Sequence, residues 1–334
     1  VRIIDTHAHV IPPGVVAAMR VGDAPDGIAL DNVDGTPWVV HRQGYRYPLP
    51  AHFHDLTARL AHMDTMGISE AVVSIAPPMF LYWADASEGV DAARLVNDEL
   101  ARMARDSGGR LSALATLPMR DPDAAVAELR RAVGELGLRG AEIGPHVEGV
   151  QLDHVALRPV LAAAQELRAP LLLHPYYVGA EPELADFYLT NLLGNPWQTA
   201  VCAARLILSG TLDRFPSLDL VLVHGGGHLP YQHGRLDRGH EVRSEAQGCR
   251  DLPSSYLRRF HYDSLTHDPR ALRFLLELVG ADRVVYGTDV PFDMGGGPLA
   301  EQLGGYRFDD DVSVCVAHRN ADRLFISTGA ISHG

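Results

Sequence analysis

Two histidines two positions apart, His7 and His9, follow closely on the apolar pair Ile3 and Ile4. Side chains alternate faces along a strand, so if an extended segment begun at residues 2–5 continues, both imidazoles point the same way. Alone, such a pair is as readily a surface turn as a chelate; ligands from other strand ends decide for metal. The sequence supplies them. His174 closes the run PLLLH, His224 closes LDLVLVH, and Asp289 closes VVYGTD. Borderline-soft imidazoles with one hard carboxylate suit zinc or another first-row divalent ion.

These residues need a frame that gathers strand ends. Apolar runs suited to strands recur at residues 2–5, 71–75, 111–117, 140–143, 170–174, 218–224, 260–263 and 283–286. Helical spacing follows them over 55–66, 91–106, 121–136, 157–167, 196–208, 269–279 and 314–325, with another helix after Pro230 and Asp121 as an N-cap. Continuous apolar strands are those covered on both faces, and eight strand–helix units is the number that closes a parallel barrel. The expected fold class is α/β: a (β/α)8 TIM barrel, one domain over 1–334. No glycine-rich dinucleotide loop follows the first strand, which disfavours an open doubly wound sheet. Barrel chemistry sits at the C-terminal strand ends, so four histidines and one aspartate would converge on one mouth. Residues 10–54 are irregular, with short strands near 38–40 and 45–47, and read as an insertion serving as a lid.

Composition narrows the function classes. At 334 residues, 46% hydrophobic and 21% charged, the chain has the make-up of a soluble globular protein with ample core. No apolar run approaches the roughly 20 residues that span a bilayer, so no membrane partner is expected. A net charge of −13 with no basic segment argues against nucleic acid. All 29 basic residues are arginine, which removes Schiff-base chemistry, a P-loop lysine and a carbamylated lysine bridging two metals. Cys202, Cys249 and Cys315 are scattered, so neither a disulfide framework nor a thiolate site is expected, and the expected compartment is a reducing cytoplasm.

Together DTHAH at 5–9, LLLHP at 171–175, VLVHGGG at 221–227 and VVYGTDVPF at 284–292 resemble the amidohydrolase superfamily. MFLYWA at 79–84, ATLPM at 115–119, GAEIGPHV at 140–147 and the HGR ending at Arg235 extend the resemblance to its branch typified by 2-amino-3-carboxymuconate-6-semialdehyde decarboxylase. The resemblance implies one divalent metal, usually zinc, held by His7, His9, His174 and Asp289, with His224 as the acid/base partner of metal-bound water. It implies substrate-binding roles for Arg46 and, across a homodimer interface, Arg243, with Phe292 on the apolar wall. Asn191 stands where the family carries an active-site tryptophan, and His228 and Asp293 make the pocket more polar than the family pattern. Glu142 offers an alternative carboxylate bridge to a second metal. Arg235 is expected in a structural ion pair, Asp5 as support for the ligand loop, and Tyr82 and Trp83 as wall or core.

The function so implied is decarboxylation, without an organic cofactor, of a small unsaturated or aromatic carboxylate resembling aminocarboxymuconate semialdehyde. A mononuclear hydrolase or hydratase is the alternative, because the ligand shell is shared. A non-catalytic metal-binding module is more remote, since a purely structural site needs no acid/base residue.

Overall fold

The computed structural model describes residues 1–24, 27–176, 181–305 and 310–326. Eight parallel strands run in chain order: β1 (Ile4–Val10), β2 (Glu70–Ile75), β3 (Leu111–Ala113), β4 (Ala141–Ile143), β5 (Leu171–Leu173), β6 (Leu220–Leu222), β7 (Phe260–Asp263) and β8 (Val284–Val285). They pair as two arcs, β1–β2–β3 and β4–β5–β6–β7–β8. Both seams are stitched. Ala115 bridges Ala141, and Ala8 bridges Val290, with Thr6 N–H donating to Tyr286 O at 2.9 Å. The expected barrel is the observed fold.

Strand register explains the unbroken apolar runs. Leu172 pairs alongside Glu142 and Val221, so these neighbours share the inner face. Leu172 and Val221 belong to an interior cluster with Ile4, Val72, Leu114, Val285, Leu324 and Phe325. Leu171, Leu173, Leu220 and Leu222 belong to a second, larger cluster under the surrounding helices. The final helical segment supplies the floor, since Leu324 and Phe325 pack into the interior cluster. That segment runs over Asp311–Val314 and then winds into wider π-helical turns at Cys315–Arg319 and Asp322–Ile326.

Aspartates start several helices as their spacing implies. Asp55 accepts from Ala58 N–H at 2.7 Å before Leu56–Thr65, and Asp121 accepts from Asp123 and Ala124 before Pro122–Gly134. Elsewhere the boundaries move. The helix expected from residue 91 begins at Ala86, and the strand expected over 111–117 is regular only through Ala113.

The insertion is more regular than its composition suggests. A helix spans Pro13–Val21, where Pro13 occupies the first turn that tolerates proline and Val15, Val16 and Met19 turn inward. An antiparallel sheet follows from Ile28–Val33, Thr36–His41 and Arg46–Pro48. Residues 25 and 26 of the expected lid, and 327–334 of the expected domain, lie outside the described residues. All three cysteines are buried and unpaired. Among the described residues no helix is long and apolar enough to cross a membrane.

Candidate active site

β1 stays extended through both histidines, so His7 and His9 project together toward the barrel mouth as their spacing requires. The β1–β2 register shifts between Asp5 and Ala8, which frees backbone donors there. Asp5 takes them up: its carboxylate accepts from His7 N–H and Thr288 N–H, each at 3.1 Å, and from the Thr288 hydroxyl at 2.6 Å. This carboxylate therefore ties the DTHAH strand to the GTD turn, the supporting role expected of it. From the helix after the insertion, the buried guanidinium of Arg59 donates to the His9 carbonyl.

His174 follows β5, and Asp289 ends the turn after β8. The donor atoms of His7, His9, His174 and Asp289 all lie within 4.8 Å of one another, and all four residues are buried. Asp289 Oδ1 is 2.9 Å from His9 Nε2, 3.4 Å from His7 Nε2 and 3.8 Å from His174 Nε2.

The outer ring edges fix which nitrogen faces this centre. His7 Nδ1 donates to Asp263 Oδ2 at 2.7 Å, His174 Nδ1 donates to Pro175 O at 2.5 Å, and Ser74 Oγ lies 3.2 Å from His9 Nδ1. The three Nε2 atoms and Asp289 Oδ1 are left buried with no hydrogen-bond partner. Unsatisfied buried donors and acceptors are rare, and four converging on one point fit a divalent cation. The residues present therefore suit the metal that the sequence implies.

Electrostatics agrees. Burial pushes the His9 and His174 pKa values down to about 4 and about 3, against the pull of Asp289. Burial also disfavours a charged His7, but Asp289 and Asp263 outweigh it and hold its pKa well above the ordinary histidine value. For Asp289 burial acts upward and is outweighed by the His7 charge and by the close approach of the His174 and His224 imidazoles, so it stays ionised.

Two glycines make this convergence possible. A Cβ on Gly287 would lie 2.8 Å from His7 Cβ and 2.9 Å from Asp263 Cβ, so only glycine lets the turn after β8 pass behind that pair. A Cβ on Gly227, at φ +61°, would lie 2.0 Å from Pro196 O, which explains the close seat of the HGGG turn on the Asn195–Leu208 helix. Two site residues themselves hold left-handed backbone, His224 at φ 55° and Asp289 at φ 59°. Such conformations persist where the surroundings over-determine them.

His224 falls outside the four-donor set. Its Nε2 stands 3.6 Å from Asp289 Oδ2, and its side chain is 15% exposed. The mouth above it is a cavity in two lobes that share Asn191, Asn195 and Asp289. The first, about 590 Å³, carries Arg46, Tyr47, His174, Phe292 and Asp293; the second, about 700 Å³, carries His224, His228, Leu265, Phe274 and Arg270.

The amidohydrolase family model matches residues 4–326. The chain belongs to the amidohydrolase family. This amidohydrolase is 30% identical over 295 residues to 2-amino-3-carboxymuconate-6-semialdehyde decarboxylase of Dictyostelium discoideum, covering 87% of this chain and 82% of that one. It is 31% identical to a gamma-resorcylate decarboxylase of a Rhizobium species, covering 81% of this chain and 87% of the relative. The crystal structure of 5-carboxyvanillate decarboxylase from Sphingomonas paucimobilis superposes with a TM-score of 0.80 at 27% identity, over 97% and 98% of the two chains. The decarboxylase branch suggested by the motifs is thus the one these similarities select.

Within the amidohydrolase frame the remaining residues sort clearly. Arg46 lines the first lobe, its guanidinium 4.9 Å above the Trp38 ring, and it makes no ion pair among the described residues. Phe292 packs edge-on against His9, Tyr47 and Phe53, with ring centroids 5.2 to 5.4 Å apart. Asn191 reaches both lobes, His228 the second and Asp293 the first.

Others fall elsewhere. Arg243 is exposed at the end of Leu229–Val242, paired with Glu245 at 2.8 Å, and lines neither lobe of this chain. Arg235 is exposed and makes none of the expected ion pairs among the described residues. Tyr82 is core, its hydroxyl accepting from Gly144 N–H at 3.1 Å, and Trp83 packs edge-on to His41. Glu142 Oε1 lies 3.7 Å from His9 Nδ1, the ring edge opposite the donor cluster. It backs the histidine instead of facing across the site.

Asp263, Ser74, Thr288, Arg59 and Asn195 are contacts that the sequence reading passes over. Asp263 had a usable signal, since it ends FHYD as His174 ends PLLLH. The others have none in one dimension.

Proposed function

We propose that this chain is a metal-dependent decarboxylase of an unsaturated or aromatic carboxylic acid, needing no organic cofactor. One observation carries the reading: His224 stands 3.6 Å from Asp289 Oδ2 yet outside the four-donor set, so an acid/base group faces the same space as the cation. The names of the relatives support decarboxylation over hydrolysis or hydration by the same ligand shell.

His7, His9, His174 and Asp289 would hold one divalent ion, and three imidazoles with one carboxylate favour zinc. When bound, the cation supplies positive charge that polarises substrate oxygens and acidifies water. The chain does the rest. Imidazole is the side chain that exchanges protons near neutral pH, and His224 delivers one to the carbon bearing the carboxylate. The conjugated system of the substrate provides the electron pair of the new C–H bond. The bond to the carboxylate then breaks, its pair restores the conjugation, and carbon dioxide leaves; His224 regains its proton from water.

Arg46 clamps a substrate carboxylate, because its planar fork matches two oxygens and its stacking on Trp38 holds it ready. Phe292 walls the substrate plane, and Asn191 contacts it from the far side. The insertion of residues 10–54 covers the mouth as a lid on a single domain. We read the protein as a homodimer in which Arg243 exchanges Glu245 for the partner's cavity; exposed Leu192, Leu193, Trp197 and Tyr231 offer apolar surface for contact. Three buried, unpaired thiols fit a reducing compartment such as the cytoplasm.

Purified metal-loaded protein incubated with a panel of carboxymuconate semialdehydes and hydroxybenzoates tests the reading. Release of carbon dioxide is expected. Conversion without it, through hydrolysis or hydration, would sink the decarboxylase assignment, and elemental analysis decides zinc against manganese.

A further inference from the structure

Among the described residues that line the cavity, apart from the metal donors and His224, one buried polar side chain keeps its acceptor unpaired. Asn195 is 8% exposed, its Oδ1 has no hydrogen-bond partner, and it lines both lobes. Its place is fixed from two sides. It opens the Asn195–Leu208 helix, and the HGGG turn sits tightly on the carbonyl of the next residue, Pro196. Asp289 is the metal donor that lines the same two lobes, so Asn195 stands at the junction where a ligand of the cation extends. Native structures seldom keep a buried acceptor unpaired unless water or a ligand completes it. An acceptor, moreover, is completed by a donor.

We infer that Asn195 is a substrate-contacting specificity residue, its side-chain oxygen accepting a hydrogen bond from a hydroxyl or amino group conjugated with the carbon that loses the carboxylate. This rests on the decarboxylase reading, whose chemistry asks for such a group. Protonation at that carbon draws electrons from the conjugated system, and an O–H or N–H substituent donates them through its lone pair. An acceptor pulling on that substituent's proton increases the donation. The pocket thereby prefers acids carrying a donor group over bare ones, and does so through a neutral amide instead of a charge.

The test uses metal-loaded protein and calorimetric binding of 2-nitroresorcinol, 2-nitrophenol and nitrobenzene. Their planar nitro group stands in for the carboxylate and cannot be lost. Wild type should bind about tenfold more weakly at the step that removes the contacted hydroxyl, equivalent to about 1.4 kcal/mol. In Asn195→Leu, or Asn195→Ala should the leucine variant not fold, that step should shrink to less than about twofold while nitrobenzene affinity is unchanged. Asn195→Asp, which keeps an acceptor, should retain the step. The contact is overturned by the same hydroxyl step in wild type and Asn195→Leu, by equal weakening of all three ligands, or by a wild type that binds none of them selectively. Carbon dioxide release by wild type, measured separately, reports on the decarboxylase reading itself, so either idea can fail alone.

Discussion

His7 Nδ1 lies 2.7 Å from Asp263 Oδ2, and neither side chain has any exposure to water. Burial alone would raise the Asp263 pKa, but the hydrogen bond and charge of His7, with help from His224 and Gly225 N–H, keep it below the ordinary value. The carboxylate thus remains ionised, fixes the imidazole tautomer and turns Nε2 to the other donors. Asp263→Ala is expected to weaken metal affinity about 10- to 100-fold, the usual scale for losing such an orienting partner. Competition against a chelator of known affinity measures it, and unchanged affinity would show that ring orientation comes from packing alone.

His224→Ala should keep one metal per chain and lose at least about a hundredfold in turnover. The pairing of those two readouts is what matters. Loss of metal together with activity would move His224 into the ligand set, and activity near wild type would remove it from the chemistry.

His174→Ala and Asp289→Ala should each lower metal content, read by elemental analysis after gel filtration. Each leaves three donors at a buried site, and the Asp289 change also removes the only negative charge in the set. Full metal content in either variant contradicts the donor assignment.

Metal binding should release about one proton near neutral pH, and that proton comes from His7. His9 and His174 are already neutral, at about 4 and about 3, and Asp289 is already ionised. His7 alone is held protonated, so affinity should rise by about one log unit per pH unit until its raised pKa is passed. In the metal-free chain the same shift has the opposite sense: stability from the His7 charge is complete below the unfolded pKa and is lost as pH rises through the folded one. Calorimetry in buffers of different ionisation enthalpy counts the protons, and a count near zero would refute the assignment.

Gly287→Ala should destabilise the protein by about 1–3 kcal/mol and lower its metal content, because the new methyl must displace His7 or Asp263. Urea denaturation with metal analysis checks both. A stable variant with full metal would mean the turn relaxes without disturbing the pair.

Much of this protein is written along the chain. Strand C-terminal ends are local features, and LLLH, VLVH and VVYGTD each place their polar residue by length alone. That is why the barrel and the four histidines and one aspartate at its mouth were legible: eight covered strands close in one way, and closure brings their ends together. The division into four donors and His224 came from the family resemblance. The arginines were less legible. Arg46 lies on the cavity wall because the inserted sheet folds over the mouth, whereas Arg243 points at Glu245, and nothing in the spacing separates those outcomes. The missed Pro13–Val21 helix was hidden because proline and glycine at its start resemble loop text until Val15, Val16 and Met19 find a core.

What the sequence by itself determined was the fold and the kinds of atoms at its mouth, since both follow from local periodicity and the geometry of closure. Only the tertiary structure decided which atoms meet: Asp263 behind His7, Glu142 behind His9 instead of across the site, and Asn195 unpaired between two lobes. Those pairings join residues as far apart as 256 positions, and their distances depend on side-chain packing and on backbone approaches of glycine size. No one-dimensional pattern carries such distances, because each is set by partners that become neighbours only after the barrel has closed.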